Sequence, residues 1–182
     1  MLTKVSIVNE LSYRQFEEME AMEKRYYAAE FITPASEAWK WYQEYPLSTI
    51  AAQVDEKIIG FVNLFPVKSE IYLLLRAGRF NDSLLRVEHL DNGRGELCYM
   101  FLSCLVVAQE FRGLGVTSML LNAAIKPYLG FPCVSVITDN VTEEGVRFSE
   151  NFGFSFICES DHHSKIYEQS WVNFVAQIKN LP

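Results

Sequence analysis

The chain is short of positive charge. Its 182 residues hold 16 Lys and Arg against 23 Asp and Glu, a formal net charge of −7. A protein that follows a phosphate backbone needs a basic face, so nucleic acid is not an expected partner. A negative surface keeps a chain soluble and weakly favours cationic small molecules such as amines. Long apolar runs are missing as well. The longest, Leu97 to Ala108, contains Ser103 and is too short to span a bilayer, so no membrane association is expected. The opening residues MLTKVSIVNE lack the apolar stretch of a secretory signal. Cysteine is limited to Cys98, Cys104, Cys133 and Cys158, with no CxxC pair and no His spacing suited to zinc. All four lie in apolar, strand-like runs, as buried free thiols of a cytoplasmic protein would. No metal site is expected. The adjacent His162 and His163 read as an exposed polar turn.

Repeats, linkers and low-complexity segments are also absent, so residues 1–182 read as one domain. With 49% hydrophobic residues the chain is neither disordered nor fibrous. Thr3 to Val8 alternates like an edge strand. Ser12 with Gln15 forms a capping box before a helix whose apolar positions include Phe16, Met19 and Met22. Pro34 opens a second helix carrying Trp39, Trp41 and Tyr42, aromatics that pack on a sheet or line a pocket. Thr49 to Val54 and Ile58 to Phe65 form a hairpin around Asp55-Glu56-Lys57. Residues 67–94 look like an insertion with a short helix near Ile71 to Leu75, serving as a surface elaboration or as a lid or substrate wall. A doubly apolar strand follows, Leu97 to Val107. Then come a helix (Val116 to Lys126), a strand (Val134 to Thr138), a helix (Thr142 to Asn151), strands Phe154 to Cys158 and Ser164 to Trp171, and a terminal helix, Asn173 to Asn180. This order predicts a mixed α/β (α+β) domain.

The chemically informative stretch is Val107-Ala-Gln-Glu-Phe-Arg112-Gly113-Leu114-Gly115-Val116-Thr117. A buried strand ends, and a glycine loop turns into a helix. The first N–H groups of a helix lack intrahelical acceptors and sit at the positive end of the macrodipole. Glycines allow close backbone approach. The result is a site for phosphate or pyrophosphate, to which Arg112 can add a charge-assisted contact. A P-loop requires Gly-Lys-Ser/Thr, and no lysine is present. A dinucleotide fingerprint is the nearer rival, with Gly113, Gly115, Ser118 at the third glycine position and Asp139 after the next strand. Against it, Ala108 to Arg112 separate the strand from the first glycine.

The stretch resembles motif A of the GCN5-related N-acetyltransferase (GNAT) family, Q/R-x-x-G-x-G/A, at Val107, Arg112, Gly113 and Gly115. Gln109 replaces a frequent proline, and Thr117 replaces a small Gly or Ala. Arg147, Phe148, Gly153 and Phe154 match the family's motif B, with Thr142, Gly145 and Ser149 standing for its asparagine, alanine and tyrosine. The order of elements agrees over nearly the whole chain. The resemblance implies the GNAT fold: a mixed, mostly antiparallel, twisted sheet of about seven strands, splayed between the fourth and fifth and flanked by helices.

It also implies acetyl-CoA as cofactor and transfer of the acetyl group to a primary amine of a small molecule or peptide, by direct attack in a ternary complex. The pantetheine arm would meet the main chain at Leu105, Val106 and Val107. The N–H groups of Arg112, Gly113, Leu114, Gly115, Val116 and Thr117 would hold the pyrophosphate. The family's tyrosine acid is replaced by Ser149, acting through a water, or by Tyr167. For the base, Glu96 at the start of the long strand, Glu30, and a water chain remain open. Two further alternatives stay open: a coenzyme A-binding module without turnover, and a homodimer as well as a monomer.

Overall fold

Two residues with positive φ, Asp55 (48°) and Glu56 (64°), close the first hairpin. They match the right-handed twist of the strands they join. The computed structural model describes residues 4–92, 95 and 97–181. Seven strands form one open sheet in the order β1-β2-β3-β4-β5-β7-β6. They are β1 (Ser6–Val8), β2 (Thr49–Val54), β3 (Lys57–Val67), β4 (Cys98–Val107), β5 (Cys133–Asn140), β6 (Ser155–Glu159) and β7 (Lys165–Ser170). Every neighbouring pair is antiparallel except β4 and β5. The expected mixed sheet is present.

Among the described residues six α-helices cover it: α1 (Tyr13–Glu23), α2 (Ala35–Glu44), α3 (Ser69–Arg76), α4 (Val116–Ile125), α5 (Glu143–Asn151) and α6 (Trp171–Lys179). At the start of α1 the Gln15 side chain accepts from the Ser12 N–H at 2.8 Å, as the capping box requires. α6 starts two residues earlier than its apolar spacing suggests. The Ser170 hydroxyl accepts from the Asn173 N–H at 3.3 Å, so Trp171 opens the helix rather than ending the strand. α4 and α6 pack on one face of the sheet through Leu120, Leu121, Phe174 and Ile178. α1 and α2 cover the opposite face through Phe16, Met19, Met22 and Ala35, and α3 extends that layer through Ile71 and Leu75. Trp41 is buried against Phe65, and Trp39 stacks on Tyr42, so both tryptophans are packing residues.

The feature that positions the site is a bulge in β4. Leu102 pairs with Leu64 and Cys104 pairs with Asn63, which leaves Ser103 without a partner on β3. A bulge bends its strand and shifts the alternation of its side chains by one. Met100 and Leu102 therefore face α4, whereas Cys104 and Val106 face α1. Pairing of β4 with β5 also stops at the bulge, at Leu102 and Thr138, although both strands continue. Beyond that point the two strands diverge. The Ala108 N–H donates to Ile59 O at 2.8 Å, which marks Ala108, Val106 and Cys104 as the residues bonded to β3. The main-chain groups of Leu105 and Val107 then point into the fork. Cys98 and Cys133 face each other across β4 and β5 with Sγ atoms 3.2 Å apart, and all four cysteines are free.

Candidate active site

The fork opens into a cleft of about 280 Å³. One wall is β4 from Leu102 to Val107, and the other is β5 and its exit, Thr138 to Thr142. Arg112 and Thr117 line one part of it, and Glu23, Tyr26, Tyr27, Phe31 and Asp82 another.

The glycine loop has the backbone that an anion cradle needs. Gly113 and Gly115 have φ of 77° and 75°, a region that side-chain-bearing residues rarely adopt. A Cβ built at either would meet nothing within 4 Å, so their surface faces open space. Gly115 caps α4, and the first helical bond is Met119 N–H to Gly115 O at 3.0 Å. The N–H groups of Val116, Thr117 and Ser118 accordingly have no acceptor within the helix. Arg112 is held back from the loop. Its Nε donates to Val107 O at 3.1 Å, and its guanidinium lies 5.1 Å from the centre of the Tyr26 ring. That pose fastens the end of β4 to the residues after α1.

Among the described residues four carboxyl groups line the cleft: Glu23 and Asp82 on the α1 side, and Asp139 and Glu144 on the side of β5 and α5. Burial pushes Glu23, at the end of α1, up to about 8, and the charge of Asp82 adds to the effect. Asp82 is pushed up to about 7, first by burial and then by the charge of Asp139. It accepts from the Ser103 hydroxyl at the bulge, at 3.3 Å. Asp139, on β5, is raised by burial and held down by Ser164 and His162. The His162 Nε2 lies 2.7 Å from Asp139 Oδ2. The expected turn is present, but within it only His163 is exposed; His162 is half-buried and partners the cleft wall. Among the described residues no three His, Cys, Asp or Glu groups converge as a metal ion would require.

Of the expected acid and base residues, Ser149, Tyr167 and Glu30 do not line the cleft. Ser149 is fully buried, and its Oγ accepts from Asn140 Nδ2 at 2.8 Å. Tyr167 is buried in the core beneath α4 and α6 and donates to Glu150 Oε1 at 3.0 Å. Neither lines the cleft, and Glu30 is exposed away from it. Glu96 lies outside the described residues. No motif in the sequence points to Glu23 or Asp82, which do line the cleft. Glu23 carries a signal: it falls seven residues after Phe16 and four after Met19, on the apolar stripe of α1. Asp82 sits in a 3-10 turn with no such pattern.

Two outcomes follow from this geometry. Ser149→Ala leaves the Asn140 amide without its buried acceptor and should cost about 1–2 kcal/mol in urea unfolding, with turnover changed by no more than a few-fold. A hundredfold loss of turnover without loss of stability would instead make Ser149 a chemical group. The second concerns pH. Glu23 keeps its proton when folded up to about pH 8, against a reference value of 4.5. Between these values the unfolded chain binds fewer protons than the folded one, so stability falls as pH rises. Urea unfolding should show a loss on the order of 3 kcal/mol between pH 5 and pH 8.5. Glu23→Gln should flatten the curve and be the more stable protein at pH 8.5. Parallel curves for the two proteins would show that Glu23 is ionised in the fold.

The family model described as "Acetyltransferase (GNAT) family" matches residues 16–154, most of the chain. The chain belongs to the GNAT family. Solved structures agree with the GNAT fold. The loading GNATL domain of CurA from Lyngbya majuscula superimposes with a TM-score of 0.64 at 9% identity, over 92% of this chain and 98% of that one. The GNAT-like decarboxylase GphF, solved in complex with isobutyryl-CoA, gives 0.63 at 13% identity, over 92% and 98%. Arabidopsis thaliana NAA60, solved in complex with acetyl-CoA, gives 0.60 at 18% identity, over 93% and 99%. No curated protein matches the chain in sequence. In this GNAT chain no helix among the described residues is long and apolar enough to cross a membrane.

Proposed function

We propose that the protein is an acetyl-CoA-dependent N-acetyltransferase acting on a primary amine, with Glu23 as the general base. The observation that carries this reading is the cleft itself. An unbridged fork between β4 and β5 runs from Arg112 and Thr117, on either side of the Gly113–Gly115 loop, to the buried carboxyl group of Glu23, pushed up to about 8. The residues present fit coenzyme A. The main-chain groups of Leu105 and the Val107 N–H, which point into the fork, suit the amide groups of a pantetheine arm, and the open glycine loop with the N–H groups of Val116 and Thr117 suits a pyrophosphate. When bound, acetyl-CoA supplies a thioester carbonyl as electrophile.

The chain's residues supply the rest. Glu23 lies against Cys104, just past the bulge, where β4 leaves β5. Its carboxylate would take one proton from an incoming ammonium group; the freed amine would bond to the carbonyl carbon as the C–S bond breaks, and the departing coenzyme A thiolate would take up the second proton shed by the nitrogen. A general base works best when its pKa is close to the working pH, and Glu23 meets that condition. Holding both substrates in one narrow cleft supplies much of the remaining rate. Asp82 lines the cleft from the segment that follows α3, which supports a substrate-wall role for that part of the insertion.

The test is coenzyme A release on mixing acetyl-CoA with a panel of small amines and amino-terminal peptides at pH 8, with the acetylated product verified by mass. Release with a defined set of amines supports the proposal. Tight coenzyme A binding with no transfer to any amine overturns it in favour of a binding module.

A further inference from the structure

The closed end of the fork carries a pair of thiols that the proposed reaction does not use. Cys98 opens β4, Cys133 opens β5, and the two are register partners across the parallel ladder. Neighbouring strands lie about 4.8 Å apart, inside the range of Cα separations that a disulfide bridges. Both side chains face the same layer, against Tyr128 and the residues of α4. Their Sγ atoms are 3.2 Å apart, with the Cys133 thiol donating to Cys98. To bond they must close by about 1.2 Å, which small rotations of two side chains supply. The same hydrogen bond holds the Cys98 thiol below its ordinary value and pushes that of Cys133 up, so the pair sheds its first proton readily and keeps the second. Neither remaining cysteine competes. Cys104 lies past the bulge on the α1 face of the sheet, and Cys158, on β6, donates to Arg76 O at 3.6 Å. Among the described residues no third His, Cys, Asp or Glu joins the pair, so the two thiols do not form a zinc site. Cys98 is buried and Cys133 is half-buried, which makes Cys133 the sulfur that a reagent in solution meets first.

We infer that Cys98 and Cys133 form a reversible disulfide by exchange with a low-molecular-weight disulfide of the glutathione class. The Cys133 thiolate attacks one sulfur of that reagent, which gives a mixed disulfide and expels one glutathione thiolate. The Cys98 thiolate then attacks the Cys133 sulfur and expels the second. The two protons given up by the cysteines pass to the two departing thiolates, and the reagent gains the two electrons that the protein loses. The bond spans 35 positions, and the loop it closes contains the rest of β4, the Gly113–Gly115 loop and α4. It staples the strands whose divergence forms the cleft, at the end where they are still paired. It also restricts the unfolded chain around the whole cofactor cradle. None of this depends on the acetyltransferase reading.

The test is incubation of the full-length protein with oxidised glutathione at pH 8, then removal of the reagent, intact mass, peptide mapping and thermal unfolding. The expected product has lost two hydrogens and yields a Cys98–Cys133 cross-linked peptide. It should unfold about 5–15 °C above the reduced protein, a shift that dithiothreitol reverses. Cys98→Ser should stop at the mixed disulfide, with one glutathione on Cys133. Cys133→Ser should form no bond at Cys98 and show no shift. The cross-link and the shift are read on the parent protein, so neither depends on a variant that folds. Four results would each overturn the inference: Cys98 and Cys133 both free after treatment, a mixed disulfide at Cys133 that persists in the parent, cross-linking to Cys104 or Cys158 instead, or a Cys98–Cys133 bond that leaves the unfolding temperature unchanged or lowers it.

Discussion

Gly115→Glu should abolish coenzyme A binding, weakening it by a hundredfold or more in calorimetric or thermal-shift titration. Two effects act together. Gly115 has φ of +75° at the cap of α4, where a side chain costs about 1 kcal/mol or more. More important, the space beside its Cα is empty, so a glutamate there stands in the cradle itself. Its carboxylate would occupy the positive end of the helix and satisfy the N–H groups of Val116 and Thr117 from within the protein. A bound anion would then have to displace a tethered one of the same sign. Gly115→Ala is the informative companion. It carries the strain without the charge and should lose only a few-fold to tenfold in affinity. Retained tight binding in Gly115→Glu would place the pyrophosphate elsewhere and overturn the cleft as the cofactor site.

Glu23→Gln should lower kcat/KM for acetyl transfer by 100- to 10,000-fold, the usual range for loss of a positioned general base. The substitution nearly preserves shape and removes the proton acceptor. Its diagnostic strength comes from the stability argument. Because Glu23 is buried and resists ionisation, the glutamine protein should be at least as stable as the parent at pH 8.5, so lost activity cannot be ascribed to unfolding. The pH profile gives a second readout. Parent activity should rise through pH 7 to 8, the range in which Glu23 and Asp82 ionise, and the apparent values belong to the interacting pair. The variant should lose the limb governed by Glu23. Transfer within threefold of the parent across pH 6 to 9 would exclude Glu23 as the base.

The contrast between the cofactor loop and the acceptor end has a physical origin. The loop is local. The end of β4 at Val107, the two glycines that need positive φ and the start of α4 at Val116 lie within ten residues, and their chemistry follows from the order in which they occur. The acceptor end is assembled from α1, the segment after α3, the β4 bulge and the exit of β5. Glu23 and Asp139 are 116 positions apart in the chain, and although the helical spacing of Glu23 puts it on the apolar stripe of α1, nothing local says which groups it meets. The family's motif B led to Ser149, but that position turns inward here and serves the Asn140 side chain.

The sequence by itself determined the order of strands and helices, the family, and the glycine loop at α4, because periodicity, capping and turn chemistry are properties of neighbouring residues. Only the tertiary structure decided which acidic groups are buried and whom they face. Burial and charge–charge coupling depend on distances across the fold. The Ser103 bulge illustrates the point: a single unpaired residue ends the contact of β4 with β5, turns Cys104 towards Glu23, and sets Asp82 beside the fork, and no local pattern announces it.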